Sequence, residues 1–214
     1  MCGIVGIFRN TTTKQSDVDL VVEMLRVQHH RGPDASGVKE TSKGILGHNR
    51  LSILDLSEHA NQPFDYKHVS LVFNGEVYNY IELKAELENA GFTFKTTSDT
   101  EVICAAYLAW GESCVSRFVG MWAFALWDND KQLLFCSRDR FGIKPFYYME
   151  DKGSFYFASE LKTLRILPVF DGTPNKRQIA RGLSLGTVGY KDETYFKNVK
   201  QLRSAYNLVW TEGV

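Results

Sequence analysis

The chain has 214 residues, of which 44% are hydrophobic and 23% charged, as in an ordinary globular protein long enough to bury a substantial core. Twenty-five basic residues balance twenty-five acidic ones, so the sequence offers no basic surface of the kind that binds nucleic acid or anionic membrane. No apolar stretch is long enough to cross a bilayer, and the N-terminus lacks the order of a secretory signal. We therefore expect a cytoplasmic protein with neither a nucleic-acid nor a membrane partner.

The first half of the chain alternates between strand and helix patterns. Residues 2–8 form an apolar, glycine-spaced run that predicts a short strand. Residues 17–29 carry apolar side chains at helical spacing, and Ser16 or Asp17 is the expected N-cap. The next strand-like segments lie around residues 35–39, 44–49 and 69–74.

Two helices and then a β-rich stretch follow. The helices are predicted at residues 79–90 and from Ser98-Asp99 to Gly111, where Ser98 and Glu101 have the spacing of a capping box. The remaining predicted elements are strands at 121–127, 132–137, 145–149 and 154–158 and short helices at 159–165 and 175–184. Antiparallel strands this apolar need cover on both faces, which predicts one α+β domain with two packed sheets and helix layers outside them.

The four cysteines are too scattered for a metal site or a disulfide framework. We expect free thiols, with Cys104, Cys114 and Cys136 as core residues, and no metal. Cys2 is different, because removal of Met1 would leave it as the N-terminal residue. Its α-amine, with an ordinary pKa of about 7.7–8.0, would then be partly neutral and able to take the thiol proton.

A thiol that attacks a carbonyl also needs donors for the oxyanion. Asn74-Gly75 offers a side-chain amide and an unhindered backbone N–H, although Asn-Gly is also typical of a type I′ turn. Among the histidines, His48 lies in a predicted strand, where we expect a structural hydrogen bond.

Eight short motifs occur in a fixed order along the chain. They are Met1–Phe8, His30–Asp34 with Ser36-Gly37, His48–Ile53, Phe73–Asn79, Ser98–Val102, Gly120–Ala125, Arg138–Pro145 and Ala158–Lys162. In this order they resemble the class II glutamine amidotransferase domain of the asparagine synthetase family, over essentially the whole chain. Pro33 makes the second motif more similar to asparagine synthetases than to the related glucosamine-phosphate or purine enzymes.

The resemblance implies an N-terminal-nucleophile fold, a four-layer αββα sandwich with two antiparallel sheets between helix layers. It also implies a role for eight residues. Cys2 would be the nucleophile, and the Asn74 side chain and Gly75 backbone would form the oxyanion hole. Arg50 would bind the α-carboxylate of L-glutamine, Asp99 with Glu76 would bind the α-ammonium, and the backbone of Leu51 and Ile53 would complete the pocket.

Alternatives remain open for several of these residues. Arg50 could be a surface ion-pair partner, and Asp99 could cap a helix. The Arg138–Pro145 and Arg31–Asp34 segments are interpreted as structural or gating rather than catalytic. Two other functions also remain: hydrolysis of another amide by an N-terminal nucleophile, and a catalytically silent regulatory or docking domain.

The resemblance further implies a C-terminal ATP-dependent synthetase domain that receives ammonia from the glutaminase through an internal tunnel. No Ser-Gly-Gly-Leu-Asp-Ser-type pyrophosphate loop occurs in residues 1–214. Leu202–Tyr206 departs from the family, which usually has Pro-Gly before the final strand. We therefore expect residues 1–214 to be a glutaminase domain without a cofactor, with ATP and Mg bound only in the missing synthetase domain. The acceptor stays undetermined, and the resemblance leaves a homodimer open.

Overall fold

The computed structural model describes residues 1–186 and 191–212. In chain order the strands are β1 (Gly3–Phe8), β2 (Ala35–Glu40), β3 (Gly44–Arg50), β4 (Phe64–Tyr66), β5 (Val69–Val77), β6 (Gly120–Asp128), β7 (Leu133–Arg138), β8 (Tyr147–Asp151), β9 (Ser154–Ala158), β10 (Lys200–Gln201) and β11 (Asn207–Thr211). The helices are α1 (Gln15–Val27), α2 (Tyr80–Asn89), α3 (Asp99–Trp110), α4 (Leu161–Leu164) and α5 (Lys176–Leu185).

The strands form two sheets in which every described pair of neighbours is antiparallel. The first sheet has the order β10-β8-β9-β1-β3-β2, and the second has the order β11-β7-β6-β5-β4. In the first, β1 lies between β3 and β9, and in the second β6 lies between β5 and β7. The strands β1 and β3, which begin or end at the predicted site, therefore lie inside their sheet. The last part of β5 is an edge, because β4 pairs only with Val69 to Leu71.

The two sheets pack face to face through side chains that alternate along each strand. Ile4 and Phe8 of β1 share one buried cluster with Val72 of β5 and Trp127 of β6. Val5 and Ile7 of β1 point to the other face, where both join the cluster that contains residues of α1. Because both of their faces are covered, the central strands β1 and β3 have no polar face and are buried at every position.

Helices cover the outer face of each sheet. The cluster outside the first sheet includes residues of α1 and α4, and the cluster outside the second includes residues of α2 and α3. α3 is buried along most of its length, since Val102 to Tyr107 are at most 1% exposed. The predicted αββα sandwich is confirmed. Within the described residues, none of the helices has the length and apolar character needed to cross a lipid bilayer.

Both predicted caps differ in detail from the structure. Lys14 is the N-cap of α1, and the Asp17 carboxylate accepts a 3.0 Å hydrogen bond from the Lys14 N–H, so neither Ser16 nor Asp17 is the cap. Ser98 does cap α3 by accepting from the Thr100 N–H at 3.2 Å. Glu101 does not complete a capping box, because its buried carboxylate instead accepts from the N–H groups of Lys95 and Thr96.

Asn74-Gly75 lies inside β5 rather than in a turn. Asn74 is opposite Ala123 and Gly75 is opposite Trp122 of β6. A Cβ at position 75 would lie 2.2 Å from the carbonyl oxygen of Met121, so the close approach of β6 requires glycine there. The alternative of a type I′ turn is therefore wrong.

Candidate active site

Strand alternation brings the predicted site residues to one end of the gap between the sheets. Cys2 immediately precedes β1, Arg50 ends β3, and Asn74 lies near the end of β5. Each is an even number of positions from a residue of the core between the sheets (Ile4, Leu46 and Val72, respectively) and therefore lies on the same face of its strand. They border a cavity of about 340 Å³. All eight residues to which the resemblance assigns a role line it, namely Cys2, Arg50, Leu51, Ile53, Asn74, Gly75, Glu76 and Asp99.

Cys2 is held at both its side chain and its backbone. Its Sγ lies 3.4 Å from the Leu51 N–H, which donates to it, and 3.7 Å from the Leu51 carbonyl oxygen. Its own carbonyl oxygen accepts a 2.9 Å hydrogen bond from Arg31 Nε. Burial raises the pKa of the Cys2 thiol, although the Leu51 N–H and nearby positive charges act in the opposite direction. The thiol is therefore protonated at neutral pH and needs a base before it can attack a carbonyl.

The Asn74 side chain is a buried donor without a partner. The residue is 1% exposed, and its Nδ2 forms no hydrogen bond to any described residue. Such a group costs free energy in the folded protein, so its retention calls for a functional or structural reason. Here that group belongs to a residue that lines the same cavity as Cys2.

The Gly75 N–H is a second open donor. Trp122, opposite Gly75, uses both its N–H and its carbonyl to bond Asp139, on the β7 side of β6. Gly75 and Trp122 therefore form a non-hydrogen-bonded pair, and the Gly75 N–H points to the edge of β5 beyond β4. On that edge Gln62 accepts from the Phe73 N–H at 2.6 Å and Asp99 accepts from the Val77 N–H at 2.9 Å. The Gly75 N–H between them has no acceptor among the described residues.

Arg50 braces the loop that forms one wall of the cavity. Its guanidinium donates to the carbonyl oxygens of Leu54, Asp55 and Ser57 and to Asn61 Oδ1. No carboxylate among the described residues forms an ion pair with it, so Arg50 is not a surface ion-pair partner. It is 6% exposed and keeps an uncompensated positive charge at the cavity.

Asp99 places a negative charge on the cavity wall. It is 4% exposed, and burial raises its pKa to about 6, with the charge of Glu76 acting in the same direction and the Val77 N–H opposing it. Because Ser98 is the N-cap of α3, Asp99 does not serve as that cap. The cavity thus carries an arginine and a carboxylate that are not paired with each other.

None of the five histidines lines this cavity. His48 is completely buried, and burial lowers its pKa to about 3, so the ring is neutral. Its Nε2 lies 3.1 Å from the Phe73 carbonyl oxygen, to which it must donate. The predicted structural role of His48 is confirmed. The predicted core positions of Cys104, Cys114 and Cys136 are confirmed as well, since each is 0% exposed.

A charged residue of the cavity, Lys144, was missed by the sequence analysis. Lys144 belongs to the Arg138–Pro145 segment, which we interpreted as structural or gating, and it lines the cavity and is 7% exposed. The sequence did offer one indication, because a lysine that lies between Ile143 and Pro145, just before an aromatic strand, is in an unusually apolar setting. Within the two described ranges, no three His, Cys, Asp or Glu side chains come together as a metal site would require.

Two antiparallel sheets between helix layers, with a thiol at the start of a central strand and open amide donors beside it, define an N-terminal-nucleophile fold. The sequence matches the family described as the glutamine amidotransferase domain over residues 1–214, and the chain belongs to that family.

Its relatives include asparagine synthetases. The chain is 43% identical over 170 residues to asparagine synthetase [glutamine-hydrolyzing] 1 of Bacillus subtilis, which covers 78% of the chain and 27% of that relative. It is 39% identical over 233 residues to a putative asparagine synthetase of Methanocaldococcus jannaschii, covering 98% of the chain and 44% of the relative. The chain thus spans less than half the length of either relative.

The fold also resembles that of a solved structure. The glutamine phosphoribosylpyrophosphate amidotransferase of B. subtilis, complexed with ADP and GMP, superposes with a TM-score of 0.64 at 21% identity. The match covers 77% of this chain and 43% of that one. At this level of identity the likeness concerns the fold.

Proposed function

We propose that this domain, once Met1 is removed, hydrolyses L-glutamine to glutamate and ammonia through a thioester at Cys2. The single observation that carries the proposal is the pair of open donors on the cavity that Cys2 lines, the Asn74 amide and the Gly75 N–H. They are the groups that a tetrahedral oxyanion would need, and they already exist before substrate binds.

In the proposed reaction, the α-amine of Cys2 accepts each proton that is removed and returns it to a leaving group. The α-amine of Cys2 accepts the thiol proton, Sγ attacks the side-chain amide carbon, and the oxygen becomes an anion bound by Asn74 and Gly75. The protonated amine then gives its proton to the departing nitrogen, so that ammonia leaves and a thioester remains. Water, deprotonated by the same amine, attacks the thioester carbon. The C–S bond then breaks, glutamate leaves, and the amine returns its proton to Cys2 Sγ. With Met1 attached the nitrogen of Cys2 is part of a peptide bond and is not basic.

Recognition of glutamine is assigned to Arg50 and Asp99, two opposite charges of the cavity that are not paired with each other. Arg50 would bind the α-carboxylate and Asp99, with Glu76 near it, the α-ammonium. Arg50 presently donates to backbone carbonyls, so a carboxylate would replace some of these weaker acceptors with a charge-assisted bond. This pair of charges favours an α-amino acid over a plain amide as substrate. It also favours a catalytic role over a silent docking domain.

The ammonia acceptor and the partner are also proposals. The longer relatives are named as asparagine synthetases, which supports a synthetase domain as partner, with ATP and Mg confined to it. Beside the cavity lies an apolar surface where Phe141 is 82% exposed, and Met121 lines both this surface and the cavity. We propose that the synthetase domain covers this surface. The proposed chemistry of the domain itself uses no cofactor.

Glutamate release from glutamine tests the proposal, with Met1 removal verified by intact mass. We expect Cys2→Ala to abolish release and the buried-thiol control Cys136→Ala to retain most of it. A glutamine analogue that alkylates thiols should add one label per chain, at Cys2. Full turnover by Cys2→Ala, or labelling elsewhere with Cys2 untouched, would refute the assignment.

A further inference from the structure

The Arg138–Pro145 segment is folded so that its last part has little freedom. The Asp139 carboxylate accepts hydrogen bonds from the N–H groups of Ile143 and Lys144, both at 2.9 Å. The Arg138 guanidinium donates to the carbonyl oxygens of Gly142 at 2.8 Å and Lys144 at 2.7 Å. Lys144 is therefore fixed at both its N–H and its carbonyl, by residues that are themselves buried or half-buried.

The loop holds the backbone of Lys144 so that this lysine lies on the cavity wall. Lys144 is 7% exposed and lines the cavity together with Cys2 and Asn74. Its ammonium forms no ion pair and no hydrogen bond with the described residues, and its Nζ is not one of the fully buried atoms, so it keeps accessible surface on the cavity. A lysine with so little exposure is normally paired. A negative charge that exists only during the reaction would explain this one.

The other buried cations near Cys2 already have partners. Arg31 donates to the Cys2 carbonyl and pairs with Glu160 at 3.1 Å. Arg50 is occupied by four oxygen acceptors and is assigned to the substrate carboxylate. Within the described ranges, Lys144 is the lysine or arginine of this cavity whose side chain has neither a partner nor an assigned role.

We propose that Lys144 is a positioning residue whose ammonium supplies the counter-charge for the anion that forms at Cys2 Sγ. The proposal deepens the proposed function and rests on it for the identity of the nucleophile. Burial of Cys2 opposes ionisation of the thiol, and the charge of Lys144 acts against that opposition, as do the charges of Arg50 and of the Met1 amine. The negative charges on the same cavity are Glu76 and Asp99. Lys144 donates no proton and forms no covalent bond.

The reactivity of Cys2 toward small alkylating reagents tests this role without glutamine. In protein lacking Met1, we expect Lys144→Met to slow alkylation of Cys2 by iodoacetamide at pH 7 about three- to tenfold, because each pKa unit changes the thiolate fraction tenfold. The pH–rate profile should shift to higher pH. The ratio of the alkylation rate with anionic iodoacetate to the rate with neutral iodoacetamide should also fall, because the variant lacks a positive charge that attracts the anion.

Three further variants make the test decisive. Lys144→Arg should restore the profile, and Lys144→Gln is a second neutral variant should Lys144→Met fold poorly. Lys176→Met, which changes an exposed lysine at the start of α5, should react like the wild type. An unchanged profile in folded Lys144→Met or Lys144→Gln would overturn the proposal, as would an effect confined to KM for glutamine. Failure of the wild type to hydrolyse glutamine would instead refute the proposed function, and the alkylation profile would still report on Lys144.

Discussion

Asp99→Asn should change stability and activity in opposite directions, raising the free energy of unfolding while lowering the rate of glutamine hydrolysis. Asp99 carries a buried carboxyl whose pKa is raised from 3.8 to about 6, mainly by burial. At about 1.4 kcal/mol per pKa unit, the ionised carboxylate costs the folded protein roughly 3 kcal/mol at neutral pH. Asparagine keeps an oxygen that can accept from the Val77 N–H and removes the charge. We therefore expect the variant to be more stable than the wild type by about 1–3 kcal/mol at pH 7.5, because burying the new amide offsets part of the gain.

The pH dependence gives this expectation its sign. Well below pH 3.8 the carboxyl is protonated in both the folded and the unfolded chain, and it costs nothing. As the pH rises, the unfolded chain ionises first, so the wild type loses relative stability until the pH passes about 6, above which the cost is constant. The advantage of Asp99→Asn should fall below about 1 kcal/mol near pH 4.

Urea unfolding at pH 7.5 and pH 4 measures the stability, and glutamate release measures the activity. Because the charged contact to the α-ammonium is lost, kcat/KM for glutamine should fall by about ten- to a few hundredfold while the free energy of unfolding rises. Glu88→Gln, at an exposed position of α2, is the control and should change neither quantity. If Asp99→Asn were less stable than the wild type at pH 7.5, the carboxylate would be a structural group. If kcat/KM were unchanged, the assignment to the α-ammonium would be wrong.

The remaining predictions concern the other groups of the cavity. Protein that retains Met1 should release no glutamate, and full turnover by a preparation with intact Met1, verified by mass, would eliminate the α-amine as base. Asn74→Ala should lower kcat about 10²- to 10³-fold with little loss of stability, because the amide has no partner before substrate binds; a loss below tenfold would mean that other groups bind the oxyanion. Arg50→Lys should recover little of the kcat/KM lost in Arg50→Ala, because an ammonium cannot replace the planar fork, and good rescue would argue against a bidentate contact. Wild-type protein should hydrolyse a simple acyl amide far more slowly than glutamine, and equal rates would contradict the assignment of the pocket to glutamine.

The layer architecture could be predicted from the sequence because its strands lack a polar face. Runs such as residues 121–127 require cover on both sides, and that requirement implies sheets stacked between helices. Alternation places Cys2 on the same face of β1 as Ile4 and Asn74 on the same face of β5 as Val72, but the sequence does not show that these two faces meet. Which strands are neighbours could not be read from it, since β1 pairs with β3 and β9, and β9 begins 146 positions after the last residue of β1.

The details that could not be predicted depend on contacts between distant parts of the chain. Glu101 has the spacing of a capping residue, but the neighbouring backbone at Lys95 and Thr96 offers it more donors. Asn74-Gly75 has the composition of a tight turn, but pairing with β6 keeps it extended. Lys144 lies in a loop, where no helix or strand periodicity predicts which way a side chain points. Its position is set by hydrogen bonds to the Asp139 carboxylate, which the sequence does not reveal.

The open polar groups of the cavity form a coherent set. The unpaired amide of Asn74 and the buried carboxylate of Asp99 each destabilise the folded chain, and Arg50 has carbonyl and amide acceptors but no carboxylate. A single glutamine would complete all three at once, through its developing oxyanion, its carboxylate and its ammonium. Such preorganisation is what electrostatic catalysis requires, because donors that are already oriented need no rearrangement when the anion forms. The two rigid sheets provide this orientation, and so the apolar core between them offsets the cost of the polar groups at its end.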